Sequence, residues 1–310
     1  MNLKVHEFPY TRHSVGNFRF PAPWSSGPRC CGFQVAFPCF RRAPVERILL
    51  IIAFLGDVVG QSGRRVLAHV VPILRREHKA DIVIANAENS AGGFGFNPGG
   101  IAEMEAAGVD FFTTGNHVWD KREGIPLLDS RPNIVRPANY PDAPGRGMQY
   151  VPGTDGRVAV INLQGRVFLP PLDCPFHTVD RLLSELPAET RVVVVDMHAE
   201  ATSEKIAMGY YLDGRVSLVL GTHTHVPTRD ARIFPGGTGY VTDVGMTGSN
   251  DSILGVRKDD VIERFLNMRP TRFEVARNDL RCDFVIADID ETNGRVRRFE
   301  HLQAAMEDES

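Results

Sequence analysis

From Ile48 onward, short apolar or β-branched runs recur along the chain, and almost every one ends in a polar residue able to bind a metal. The runs are Ile48 to Leu55, Ile82 to Ala87, Phe111 to Thr114, Val158 to Leu163, Val192 to Met197 and Val216 to Leu220. Such runs read as strands, and the helical patterns between them predict an α/β fold. Gly63 to His78 places Val66, Val70, Ile73 and Leu74 at helical spacing, and Ile101 to Ala107 repeats this briefly before Gly108. The tail has another texture: Gly239 to Thr242, Arg272 to Ala276 and Asp283 to Ile289 read as strands without long helices between them, apart from Asp259 to Asn267. A second sheet, mixed or antiparallel, is expected there.

With 310 residues, 43% of them hydrophobic and 24% charged, the chain can bury one large core, expected over residues 48–310. Its longest apolar run, Ile48 to Leu55, is far short of the roughly 20 residues of a membrane-spanning helix, so no membrane span is predicted. Residues 1–47 carry seven Lys/Arg against two Glu, which leaves a formal charge of −8 on the rest. That excludes a basic nucleic-acid surface, and no stable nucleic-acid complex is expected. Residues 1–47 show no periodicity and are expected to be poorly ordered. Their composition fits either an organelle transit peptide or an extension upstream of a misassigned start. Five cysteines, Cys30, Cys31, Cys39, Cys174 and Cys282, contain no CxxC pair, which argues for a reducing cytoplasm over a disulfide scaffold or zinc ribbon.

The strand ends carry Gly56-Asp57, Glu88-Asn89, Gly115-Asn116-His117, Asp196-Met197-His198 and Gly221-Thr222-His223-Thr224-His225. In open α/β sheets, ligand sites form at the carboxyl ends of strands. Singly, Asp57 reads as a helix cap, Asn89 or Asn116 as a turn residue, and His198 as a core histidine. Together they gather imidazoles with carboxylate and amide oxygens, a mixture that suits divalent ions. Two ions roughly 3.5–4 Å apart, bridged by a carboxylate and a water, would generate a hydroxide and clamp a phosphoryl group, making phosphate-ester hydrolysis the expected reaction. His117, adjacent to Asn116, is assigned as the acid beside the leaving oxygen; the alternative is that it merely packs beside Trp119. The glycine-rich stretch from Gly92 to Gly100 lacks the ending of a phosphate-cradling loop, and Phe94 and Phe96 within it are candidates to stack on a base.

These residues resemble the YmdB-type branch of the calcineurin-like metallophosphoesterases, from about Arg47 to about Leu302. The motifs that carry the likeness include Gly56-Asp57-Val58-Val59-Gly60, Ala87-Glu88-Asn89, Gly115-Asn116-His117-Val118-Trp119-Asp120-Lys121, His198-Ala199-Glu200-Ala201-Thr202-Ser203-Glu204-Lys205 and Thr242-Asp243-Val244-Gly245-Met246-Thr247-Gly248. The resemblance implies a four-layer αββα sandwich. It places Asp57, Glu88, Asn89 and His225 around one metal, and Glu88, Asn116, His198 and His223 around the other, with Glu88 as the bridge. It further implies His117 as proton donor and activity on phosphodiesters, including 2',3'- and 3',5'-cyclic nucleotides. The wider superfamily has a histidine where Val59 stands here, and Asn89 is expected to fill its place. A site this rich in oxygen favours Mn or Fe, with Mg or Zn allowed.

Two other readings use the same residues: a phosphomonoesterase or protein phosphatase, and a regulatory RNA-associated protein whose metals serve binding alone. A nuclease fits less well, since residues 48–310 are acidic and lack a basic stripe. Arg136 and Arg166 are left outside the catalytic set as salt-bridge residues. A homo-oligomer is allowed by the sequence.

Overall fold

The computed structural model describes residues 49–306 and the backbone of a short strand, β1 (Val5–Glu7). The disorder expected for residues 1–47 lies, apart from β1, outside the described residues. The chain continues through β2 (Leu49–Leu55), β3 (Asp57–Val58), α1 (Gly60–Arg76), β4 (Ile82–Asn86), α2 (Pro98–Ala106), β5 (Phe111–Thr113), α3 (Ile125–Ser130) and β6 (Met148–Tyr150). It then forms β7 (Val158–Gln164), α4 (Pro175–Glu185), β8 (Val192–His198), α5 (Thr202–Leu212), β9 (Leu218–Thr222), β10 (Arg232–Ile233), β11 (Gly239–Val241), β12 (Met246–Ser249), α6 (Lys258–Asn267), β13 (Leu280–Asp290) and β14 (Arg295–Ala305).

Strands β2, β4 and β5 are parallel, and β13 enters antiparallel between β2 and β14. The second sheet runs β10-β11-β9-β8-β7-β6, with β7, β8, β9 and β11 parallel and an antiparallel strand at each edge. The tail therefore departs from the sequence expectation. Strands β12, β13 and β14 complete the first sheet, and β11 joins the second. In β13 the alternate residues Phe284 and Ile286 face one core while Val285, Ala287 and Ile289 face another. A strand apolar on both faces is satisfied only inside a sheet. Arg272 to Ala276 is no strand either: Val275 makes a single bridge to Val256, and Phe273 instead lies under the guanidinium of Arg264.

Three apolar clusters set the stacking order. The first joins Val66, Val70 and Leu74 of α1 and Ile101 and Met104 of α2 to one face of the first sheet, at Leu55, Val83 and Phe112. The second fills the space between the sheets, where Ile52, Phe54 and Ile84 meet Val160, Val194 and Leu220. The third packs Val179 of α4 and Met208 and Leu212 of α5 on the outer face of the second sheet. Burying each such side chain contributes about 1.5–3 kcal/mol. Helix, sheet, sheet and helix thus lie in succession, and the carboxyl ends of β2, β4, β5, β8 and β9 supply the residues described next.

Candidate metal centre

Three of the strand-end segments converge on one buried carboxylate. Glu88, just past β4, has Oε1 at 3.2 Å from Nε2 of His198, and its Oε2 accepts the backbone N–H of His117 at 3.1 Å. Two donor groups share it: Glu88 with His198 and His223, and Glu88 with Asp57 and His225, the ligand atoms within each lying within 4.8 Å of one another. The amides stand beside these groups. Asn116 places Oδ1 at 2.9 Å from Nε2 of His198. Asn89 donates Nδ2–H to the carbonyl of Gly93 at 2.9 Å, while its Oδ1 is buried and has no partner among the described residues.

Second partners fix which nitrogen each imidazole presents. The Thr222 hydroxyl donates its one hydrogen to Asp196 Oδ1 at 2.6 Å, so at 2.9 Å from His198 it accepts Nδ1–H and Nε2 turns to the site. Nδ1 of His225 lies 3.0 Å from the carbonyl of Leu254, which can only accept, so Nε2 faces Asp57. In His223 the roles reverse: Nε2 donates to Glu200 at 3.0 Å, and Nδ1 lies 3.1 Å from Nε2 of His198. His223 and His225 hold φ angles of 99° and 64°, uncommon for residues with a Cβ.

The charges interact strongly in this dry setting. Burial works to raise Glu88, but His198 and then His117 outweigh it and hold the carboxyl at about 2. Burial works to lower His198, yet Glu88, Asp57 and Asp196 keep its proton up to about 9. His223 is driven down to about 3 by burial and then by the charge on His198, so it stays neutral. Burial raises Asp57, against the pull of His225 and His198. Asp196, beneath His198 and hydrogen-bonded by Thr113, Thr222 and Asn86, is raised to about 7, mainly by burial.

The donor set fits divalent ions on an independent ground. Oδ1 of Asp57, like Oδ1 of Asn89, is buried with no hydrogen-bond partner among the described residues. Leaving a buried polar atom unpaired costs about 1–3 kcal/mol, and two such oxygens beside crowded imidazole nitrogens are what a cation would satisfy.

His117 stands at the edge of this cluster. Its Nδ1 lies 2.8 Å from Asp120 Oδ2, and the ring of Phe94 packs edge-on at 5.0 Å. Phe96 does not share that position: it is wholly buried in the first core, so the expectation that it stacks on a base is wrong, while Phe94 remains 39% exposed. Arg136 is spent on the carbonyls of Pro137, Ala143, Pro144 and Gly145, consistent with leaving it out. Sequence reasoning missed Asp120, Glu200, Thr222, Lys205 and Asp243 as supports. All five lie in quoted motifs, but only the fold shows what they touch. Among the described residues, no helix is long and apolar enough to cross a membrane.

Fold and donor set together define a metallophosphoesterase, a hydrolase acting on phosphoric esters. Residues 53–302 match the family described as YmdB-like protein, and the chain belongs to that family. It is 47% identical over 252 residues to a 2',3'-cyclic-nucleotide 2'-phosphodiesterase of Bacillus subtilis, covering 81% of this chain and 96% of that one. Two crystal structures are similar. A hypothetical protein of Thermus thermophilus shares 41% identity at a TM-score of 0.78, over 83% of this chain and 100% of that one. A novel phosphatase of Mycoplasma pneumoniae shares 32% identity at a TM-score of 0.80, over 84% and 95%.

Proposed function

We propose that the protein is a dinuclear metal-dependent phosphodiesterase that hydrolyses small phosphodiesters, including cyclic nucleotides of the 2',3' kind, the 3',5' kind or both. The observation that carries this reading is Glu88, one carboxylate common to two donor groups. Asp57, Glu88, Asn89 and His225 would hold one ion, and Glu88, Asn116, His198 and His223 the other. The oxygen donors, and the absence of cysteine from the two donor groups among the described residues, favour Mn or Fe. When bound, such a pair supplies Lewis-acid polarisation of the phosphoryl group and a nucleophile at neutral pH.

The remaining work falls to the chain. Asp120 orients His117 through Nδ1, leaving Nε2 to protonate the leaving oxygen. Phe94, packed on His117 and partly exposed, offers a face for a nucleobase. The name of the Bacillus subtilis relative supports the substrate class. The acidic character of residues 48–310 favours small substrates over polynucleotides, and a cytoplasmic location completes the proposal.

Metal analysis of the purified protein, with rates on bis-p-nitrophenyl phosphate, p-nitrophenyl phosphate and 2',3'-cyclic AMP in added Mn, tests the reading. Two bound ions and turnover of the diesters are expected. Hydrolysis of the monoester alone would replace the proposal with a phosphomonoesterase.

A further inference from the structure

Beneath the loop that carries His223 and His225 lies a buried ion pair. Nζ of Lys205, on α5, is 2.6 Å from Oδ2 of Asp243, and both side chains are only 1% exposed. The same Oδ2 accepts the backbone N–H of Thr224 at 3.1 Å and its hydroxyl at 2.7 Å, while Oδ1 accepts the N–H of Gly245 at 2.9 Å. The lysine stem runs under the end of β9: a Cβ on Gly221 would sit 2.9 Å from its Cδ. Thr224 is thus fixed through both its backbone and its side chain, and it stands between the two histidines at positive φ.

A buried pair is weak support for stability as such, because desolvating the charges offsets their attraction. Positive φ at residues with a Cβ persists only where the surroundings over-determine the backbone. Here the residue so held lies between one histidine from each donor group. We infer that Lys205 and Asp243 form a clamp that positions the His223-Thr224-His225 loop, holding its two imidazoles toward different ions. The pair acts through Thr224 and touches neither substrate nor metal. The inference rests on the dinuclear reading.

The experiment compares full-length wild type with Thr224→Val, which removes the hydroxyl at nearly constant shape, and Lys205→Met. Mn binding is read by titration against a competing chelator and by bound-metal content, and the thermal midpoint is measured on metal-free protein. In Thr224→Val, Mn affinity should fall about 10–100-fold, the range of supporting contacts around metal ligands, with the midpoint of the metal-free protein close to wild type. Lys205→Met should weaken binding at least as much; should it fail to fold, Thr224→Val alone decides. Wild-type affinity in Thr224→Val, or a lowered midpoint with affinity retained, overturns the clamp and leaves the metal reading standing. Wild type that takes up none of Mn, Fe(II) or Zn overturns both.

Discussion

Nε2 of His198 lies 3.2 Å from Oε1 of Glu88, and both side chains are buried. In the metal-free protein this is an ion pair, with the imidazole raised from 6.5 to about 9 and the carboxyl lowered from 4.5 to about 2. A raised histidine stabilises the fold fully below its unfolded value and loses that contribution as pH climbs through about 9. A lowered glutamate stabilises above its unfolded value and loses that as pH falls through about 2. The pair therefore contributes most between pH 4.5 and 6.5. A histidine must be neutral to bind a metal, so Mn loading at pH 7.5 has to expel about one proton, and affinity should rise up to about pH 9. Calorimetry in two buffers of different ionisation enthalpy measures this proton, and heats independent of buffer would contradict it.

The neighbouring contact, His117 Nδ1 with Asp120, sets a second expectation. His117→Ala should lower kcat on 2',3'-cyclic AMP by about 10²–10⁴-fold, the usual range for a general acid, with bound metal unchanged. On bis-p-nitrophenyl phosphate the loss should be smaller, since p-nitrophenolate leaves without a proton. Equal losses on both substrates would show that His117 holds the site together and donates no proton.

Phe94 and Phe96 sit two residues apart and should behave oppositely. Phe96→Ala removes a wholly buried ring from the first core and should cost about 3–5 kcal/mol in a urea denaturation series. Phe94→Ala should leave stability nearly unchanged. If the ring stacks on the base, KM for 2',3'-cyclic AMP should rise roughly 5-fold or more, while that for bis-p-nitrophenyl phosphate holds. An unchanged nucleotide KM removes the stacking role.

The same pair shows what could be read before the fold was known. The strand-end donors are legible because β2, β4, β5, β8 and β9 are short apolar runs, and the polar residues at or just past their carboxyl ends gather at one rim. Whether a phenylalanine beside a glycine faces the core or the rim depends on the loop path, which no periodicity encodes. The supports were illegible for a related reason. Lys205 and Asp243, or Thr222 and Asp196, are tens of residues apart and meet only because α5 lies under β9 and β8 pairs with β9. The tail strands pair differently from what their spacing predicts because a strand's pairing partner is set by which cores its two faces fill. β13, apolar on both, is drawn inside the first sheet.

Close approach gives the last prediction. A Cβ on Gly115, just before Asn116, would collide with both Oε2 of Glu88 and Nε2 of His198. Neither can retreat far, since Glu88 holds the amide of His117 and His198 is tied to Thr222. Gly115→Ala should therefore displace the shared carboxylate and weaken Mn binding by at least about 10-fold, at an overpacking cost of about 1–3 kcal/mol. Gly99, in the first turn of α2, is the internal control. A Cβ there meets only Asn97 Oδ1 at 3.9 Å, and Gly99→Ala should stabilise the protein by about 0.4–1 kcal/mol with metal content unchanged. Chelator titration and thermal melts on the two variants separate the effects. Wild-type Mn affinity in Gly115→Ala would mean that Glu88 and His198 do not face a common ion.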